Sequence, residues 1–144
     1  MHPNLLTSER VFPFIIAGKA VFTARGREKR FTFKVKVPTF DDVKNWNLRF
    51  VYVLSGPDNS NDYTFFGVLF LKHGQWSFKV SPKSKVSAGA QSIQAFKYIW
   101  DHVKSGLAMP QVEIWHSGYC GRCGKPLTVP ESIESGLGPV CIEL

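Results

Sequence analysis

Short segments of alternating apolar and polar residues between positions 18 and 80 constrain the fold of this chain most. Residues 30–38, RFTFKVKVP, place their apolar side chains on one face of an extended chain and their polar side chains on the other. The apolar set is Phe31, Phe33, Val35 and Val37, and the polar set is Thr32, Lys34 and Lys36. A period of two, carried by aromatic and β-branched residues, is typical of a strand with one buried face. Pro38 should end the strand, because proline has no N–H to donate to a neighbouring strand.

Further segments of strand character precede and follow this one, and turn residues separate them. We expect strands over residues 18–24, 48–55, 63–71, 75–80 and 112–116. A single helix is predicted over about residues 90–105, because apolar residues recur there at helical spacing and Gly106 is a typical stop signal. The recurring residues are Ile93, Phe96, Ile99 or Trp100, Val103 and Leu107.

These elements predict an α+β fold, with a mostly antiparallel sheet, one packed helix and a small C-terminal zinc-knuckle or zinc-ribbon module. The expected divisions are an N-terminal arm over residues 1–17, an α+β domain over 18–112 and a zinc-binding module over 113–144. The 44% hydrophobic share of the 144 residues suits a globular chain. No apolar run is long enough to cross a membrane, and no secretory signal is recognised, so a cytoplasmic location is expected.

All three cysteines lie near the C-terminus, in a pattern that predicts a structural zinc site. Cys120 and Cys123 are separated by two residues in the sequence CGRCG, and Cys141 follows after GLGP. Two thiolates at this spacing can hold one ion if the turn between them is tight, which the glycines permit. An odd cysteine count also argues against a secreted disulfide framework. Because the module has little apolar mass, losing a ligand should destabilise this tail far more than the sheet.

A closed zinc site needs a fourth ligand, for which His116 is the main candidate. It lies four residues before Cys120, at the end of the last predicted strand, and three cysteines with one histidine form an accepted structural ligand set. Other candidates stay open: Glu143, the terminal carboxylate of Leu144, His73, His102 and water. A further alternative is that all three thiols are buried without a metal.

The stretch CGRCGKPLTVPESIESGLGPVC, with WH just before it, resembles a C-terminal module of small uncharacterised phage and prophage proteins. A weaker similarity extends upstream through FVYVLSGPDNSNDYTFFGVLF and AFKYIW. The resemblance implies a phage or mobile-element origin and a metal-binding tail. It implies no particular reaction.

The motifs of zinc enzymes are missing around the cysteines. Base deaminases place a His-x-Glu segment well ahead of their cysteine pair, whereas Gly118 stands two residues after His116. The HExxH motif is absent, and a redox Cys-x-x-Cys would begin a helix and leave Cys141 unexplained. We therefore expect a structural zinc ion and no enzymatic activity. A hydrolase with catalytic zinc is the weakest alternative.

The positive charge is concentrated in the N-terminal part of the chain. Of the formal net charge of +7, residues 1–40 contribute eight lysines and arginines against two acidic residues. Four of these cations lie in or beside one predicted turn and two on the strand that follows: Arg25, Arg27, Lys29, Arg30, Lys34 and Lys36. A row of cations can bind a phosphate backbone by releasing condensed counterions. The alternatives are an acidic protein partner, or an edge strand whose lysines guard against aggregation.

We therefore expect a small phage-type, zinc-stabilised protein that binds nucleic acid through a basic N-terminal hairpin. The alternative is a phage-encoded inhibitor or modulator of a host protein, such as a defence nuclease, of the anti-CRISPR or anti-defence type. In that case the basic surface would mimic or block a nucleic-acid site.

Overall fold

The computed structural model describes residues 3–38, 47–58, 61–138 and residue 142. Within these ranges the chain forms seven strands and three helices. The strands are β1 (Leu5–Leu6), β2 (Lys19–Arg25), β3 (Arg30–Lys36), β4 (Leu48–Leu54), β5 (Tyr63–Lys72), β6 (Gln75–Val80) and β7 (Glu113–His116). The helices are α1 (Ser8–Ile15), α2 (Gln91–Lys104) and α3 (Pro130–Ser135).

All seven strands belong to one sheet, in the order β1-β7-β2-β3-β4-β5-β6. Each neighbouring pair is antiparallel, which confirms the predicted antiparallel sheet. Strands β2 to β6 follow one another along the chain and across the sheet. Strand β7 then returns to pair with β2, and the two-residue β1 pairs with β7 at the edge.

The described residues form three helices, where the sequence predicted one. Helix α2 is the predicted helix, and it buries Ile93, Phe96, Ile99, Trp100 and Val103 as expected. Leu107, which continues the helical spacing in the sequence, lies beyond the end of the helix. The helix ends at Lys104, Gly106 takes a positive φ of 72°, and Leu107 is 57% exposed.

The two helices that the sequence did not predict lie at opposite ends of the chain. Helix α1, in the predicted N-terminal arm, buries Val11, Phe14 and Ile15, which the i, i+3, i+4 spacing places on one side of a helix. Helix α3 starts at Pro130 and ends before Gly136, whose φ of 76° suits a helix C-terminus. Pro13 lies inside α1 and is exposed to solvent.

One face of the sheet carries the hydrophobic core. Directly opposed residues on antiparallel strands share a face, so Phe22, Phe33 and Val53 point to the same side, and all three are buried. Helix α2 covers this face through Phe96, whose ring centroid lies 5.3 Å from that of Phe33. Helix α1 covers it through Phe14, whose centroid lies 6.5 Å from that of Phe22.

The other face of the sheet carries a different set of side chains, and we call it the open face. Lys34 of β3 lies opposite Val21 of β2 and Tyr52 of β4, and Tyr52 lies opposite Phe65 of β5. These four residues are partly exposed. The ring contacts that join α1 and α2 to the sheet, Phe14 with Phe22 and Phe96 with Phe33, both lie on the core face.

A register shift between β4 and β5 changes which residues of β5 face the core. Strand β4 changes its pairing with β5 between Val51 and Tyr52, so Phe66 has no direct partner there. Phe66 is fully buried and contacts Phe96, whereas its neighbour Phe65 points to the open face. The bulge interrupts the regular alternation of β5, so that the consecutive residues Phe66 and Gly67 both lie on the core face.

Candidate functional site

The cysteine pair lies in a closed turn that directly follows β7, and we call residues 119–126 the cysteine turn. Tyr119 and Pro126 form an antiparallel bridge at its base, and the Cys120 N–H donates to the Lys125 carbonyl at 2.8 Å. The Gly124 N–H donates to the Cys120 carbonyl at 2.9 Å. Gly124 has a φ of 81°, a conformation that glycine adopts without the steric cost met by other residues.

Three backbone N–H groups converge on the sulfur of Cys120. They belong to Arg122 at 3.4 Å, Cys123 at 3.5 Å and Gly138 at 3.3 Å. Hydrogen bonds to a sulfur favour its negatively charged form. The turn thus offers Cys120 and Cys123 as two candidate metal ligands, with hydrogen-bond donors around the Cys120 sulfur.

The pKa of the Cys120 thiol reflects the same contacts. Burial raises this pKa, but the N–H groups of Gly138, Cys123 and Arg122, together with a hydrogen bond to the Cys123 side chain, lower it more. The result is a pKa of about 7, compared with 9.0 for an ordinary cysteine. At pH 7 about half of such thiols are in the thiolate form, which is the form that binds a metal.

The structure describes only some of the predicted ligands outside the cysteine turn. Cys141, Glu143 and Leu144 lie outside the described residues. His73 occupies the turn between β5 and β6, and His102 on α2 donates from its Nδ1 to the Tyr98 carbonyl at 2.8 Å. Among the described residues, no group of three or more histidine, cysteine, aspartate or glutamate side chains is arranged to hold a metal ion.

His116 is buried, and both of its ring nitrogens have backbone partners. Its Nδ1 accepts from the Gly118 N–H at 2.9 Å, and its Nε2 donates to the Ile133 carbonyl at 2.5 Å. Binding a metal would require His116 to give up one of these hydrogen bonds. In the structure these hydrogen bonds join β7 to α3, and the role of His116 as fourth ligand stays a prediction.

Phe14 of α1 attaches the cysteine turn to the sheet. A Cβ atom added to Gly121 would lie 2.7 Å from the Phe14 ring, and one added to Gly136 would lie 2.5 Å from it. The two glycines are themselves joined, because the Gly121 N–H donates to the Gly136 carbonyl at 2.9 Å. The sequence contained an apolar patch at residues 12–17, but only the fold shows that its Phe14 contacts both glycines.

The second candidate site is the hairpin of β2 and β3, which carries all six predicted cations. Four are exposed at its tip: Arg25, Arg27, Lys29 and Arg30. The turn is closed by a hydrogen bond from the Gly26 N–H to the Lys29 carbonyl at 2.8 Å. Lys34 and Lys36 lie further along β3, on the open face.

Like charges oppose each other across this hairpin. Arg25 pairs with Arg30 at one end and Lys19 pairs with Lys36 at the other. On its second side, Arg25 also lies opposite Glu113 of β7. Within the part of the chain that the structure describes, the only side chains close enough for an ion pair are Arg10 and Glu134, outside the hairpin. The hairpin is therefore a concentrated positive surface.

Two lysines of the open face lie over tyrosine rings. Lys34 Nζ is 4.4 Å from the centroid of Tyr63, and Lys36 Nζ is 5.3 Å from that of Tyr52. Partial burial, followed by the positive charge of Lys36, lowers the pKa of Lys34 below its ordinary value. Burial also raises the pKa values of Tyr52 and Tyr63. The sequence alone did not predict these tyrosines as part of a site.

Residues 115–143 match the model of a family described as "Family of unknown function (DUF6011)". The match covers the cysteine turn and α3, and it agrees with the expected similarity to an uncharacterised family. No curated protein and no solved structure matches the chain. In the described part of the chain, no helix is long and apolar enough to cross a membrane.

Proposed function

We propose that this protein binds nucleic acid through the β2–β3 hairpin and that a structural zinc ion stabilises its C-terminal module. The proposal of nucleic-acid binding rests on the pairing of like charges across the hairpin. Arg25 opposite Arg30 and Lys19 opposite Lys36 destabilise the free hairpin, because directly opposed like charges repel. A polyanion bound there would relieve this repulsion at several positions at once.

The zinc proposal is supported by the geometry of the cysteine turn. Cys120 and Cys123 would supply two thiolates, and Cys141 a third, as the spacing predicts. Three N–H groups already point at the Cys120 sulfur, so the turn has the form that a bound thiolate needs. The zinc would hold the module together and take no part in a reaction. The proposed origin in a phage continues to rest on the sequence resemblance.

Removing the four charges at the hairpin tip tests the nucleic-acid proposal. In the variant with Arg25, Arg27, Lys29 and Arg30 all changed to alanine, binding should weaken and become less dependent on salt. The fold should persist, because exposed charges contribute little to stability. Fluorescence anisotropy with a labelled 20-mer, repeated over a series of salt concentrations, gives both the affinity and the slope.

A control variant removes the same amount of charge elsewhere. Lys83, Lys85, Lys97 and Lys104 are exposed residues of α2 and of the loop before it, and their replacement by alanine lowers the net charge equally. This control should keep most of the affinity and the salt slope. If the hairpin variant binds as the control does, the hairpin does not make the contact and the proposal is wrong.

The alternative reading, an inhibitor that docks on an acidic host protein, differs in its response to salt. Each phosphate contact releases a counterion, so binding to nucleic acid should fall steeply as salt increases. Tight binding to one host protein that persists at high salt, with no affinity for oligonucleotides, would favour the alternative.

A further inference from the structure

The open face carries a cluster of aromatic rings beside its lysines. The centroid of Phe65 lies 5.3 Å from that of Phe50 and 5.7 Å from that of Tyr52. Tyr63 extends the cluster along β5, beneath Lys34. All four rings are partly exposed. Partly exposed rings in a cluster are unusual on a surface unless something packs against them.

A groove continues from these rings towards the cysteine turn. It has a volume of about 710 Å³, and its lining includes Lys19, Lys34, Tyr63, Trp115 and Tyr119. Among the described residues that line it, there is no aspartate or glutamate. Tyr119, in the cysteine turn, is 53% exposed at this groove. The groove therefore combines aromatic rings with positive charge along its length.

Hydroxyl groups form part of the same groove. Thr23 and Thr32 lie opposite each other on β2 and β3, and their hydroxyl oxygens are 2.8 Å apart in a hydrogen bond. Both line the groove. Hydroxyls can donate to or accept from the polar edges of bases, whichever base is present.

The combination of aromatic rings, lysines and hydroxyl groups indicates which polyanion would fit the groove: a duplex, a single strand or an acidic protein segment. A duplex keeps its bases stacked inside and would use only the cations. A single strand presents its bases, which stack on aromatic side chains, together with phosphates that pair with lysines. An acidic protein segment would use the lysines but would have no need for the rings.

From these observations we propose that the open face binds single-stranded nucleic acid, with bases stacked on Tyr52 and Tyr63 and phosphates paired with Lys34 and Lys36. The inference rests on the proposed function and extends it, because it names the form of the nucleic acid and the rings that recognise it. The hairpin tip would then contact phosphates at one end of the bound strand. In the free protein each lysine covers a tyrosine ring, and a bound strand would draw the lysines onto its phosphates.

Paired tyrosine variants test this inference. In the double variant Tyr52→Leu and Tyr63→Leu, the affinity for a single-stranded 20-mer should fall about tenfold or more, because leucine keeps apolar volume but cannot stack. The variant Tyr52→Phe and Tyr63→Phe should bind like the wild type, since it keeps both rings. Tyr98→Leu, a change of an exposed tyrosine on α2, serves as the matched control and should have no effect. The measurement is anisotropy with single-stranded and duplex probes of the same sequence.

The outcomes separate this inference from the proposed function. Wild-type protein should prefer the single strand, and the leucine variant should lose that preference. Equal binding of single strand and duplex, sensitive only to the hairpin charges, would overturn the inference and leave the proposed function standing. No binding to either probe would overturn both. Poly-L-glutamate that competes as well as an unlabelled single strand would overturn the inference in favour of an acidic protein partner.

If the leucine variant does not fold, a crosslinking measurement on the wild-type protein tests the inference instead. A single-stranded oligonucleotide that contains bromodeoxyuridine is bound and irradiated, and the attached peptides are identified by mass spectrometry. Crosslinks to peptides with Tyr52, Tyr63 or Trp115 are expected. Crosslinks confined to the hairpin tip, residues 25–30, would overturn the inference.

Discussion

At the scale of single residues, Cys120 and His116 show how backbone hydrogen bonds assign different roles to neighbouring candidate ligands. The Cys120 sulfur receives three N–H groups, which favour a thiolate able to bind a metal. The His116 ring accepts one backbone hydrogen bond and donates another, so both nitrogens are already used. Sequence spacing could identify both residues as candidates. It could not reveal these contacts, because Ile133 and Gly138 approach from a later part of the chain.

Two substitutions should therefore have different effects on bound zinc. We expect Cys123→Ser to lose most of the metal, since a thiolate ligand is removed. We expect His116→Ala to keep about one zinc per chain but to lower the free energy of unfolding by about 1–3 kcal/mol, because buried polar groups lose their partners. Elemental analysis of protein purified without chelator, together with urea denaturation, measures both quantities.

A different outcome would support the prediction of a histidine ligand. If His116→Ala loses zinc as Cys123→Ser does, and His116→Cys recovers it, the fourth ligand is His116. Wild-type protein that contains no zinc under reducing conditions would contradict the zinc proposal itself.

At the scale of elements, the sequence predicted those with a strong local pattern and missed those that depend on distant partners. Alternation located β2 to β6 within one or two residues, and helical spacing located α2. The two-residue β1 forms only because β7 lies beside it, which no local pattern reveals. Pro13 obscured α1, and α3 is too short to show a periodic stripe, although Pro130 and Gly136 mark its ends.

The candidate site, too, could be predicted only where it follows from a local pattern. The alternation of β3 placed Lys34 and Lys36 on one face correctly. Their tyrosine neighbours come from β4 and β5, and the pairing register that joins these strands includes a bulge. A shift by one residue would move every side chain of a strand to the other face, so the aromatic cluster could not be predicted without the register.

The contact of α1 with the cysteine turn gives a prediction for Gly121. Gly121→Ala places a Cβ atom 2.7 Å from the Phe14 ring, so helix or turn must move. We expect the free energy of unfolding to fall by about 1–3 kcal/mol, as in other overpacked cores. Gly89→Ala is the matched control, because a Cβ atom there meets nothing within 4 Å. Urea denaturation that gives the same stability for both variants would show that the turn is not packed against α1.

At the scale of the whole molecule, the two faces of the sheet carry different sets of residues. The core face holds the helices, and through Phe14 it also holds the cysteine turn. The open face and the hairpin carry the lysines, arginines and partly exposed rings on which the proposed binding depends. The cysteine turn and the proposed binding surface meet at the groove, since Tyr119 and Gly124 of that turn line it beside Lys34 and Tyr63. Loss of zinc should therefore affect both stability and binding.

This connection changes the expected response to chelation. The sequence suggested that removing a ligand would destabilise the tail far more than the sheet, because the module has little apolar mass. In the fold, the cysteine turn packs against Phe14, which also contacts Phe22 in the centre of the sheet. We therefore expect zinc removal to lower the thermal midpoint of the whole protein in a single transition. Free zinc at a thousand times its Kd would stabilise the folded chain by about 4 kcal/mol.

Thermal unfolding with and without a chelator measures this coupling. Far-ultraviolet circular dichroism follows the secondary structure. Tryptophan fluorescence reports on all four tryptophans, among them Trp76 on β6, Trp100 on α2 and Trp115 on β7, the strand that leads to the cysteine turn. Coincident transitions that move together to lower temperature would agree with one cooperative unit. A separate early transition, with an unchanged midpoint for the sheet, would show that the module unfolds alone. Phe14→Leu provides the final check, because a weaker contact at this position should separate the two transitions even when zinc is bound.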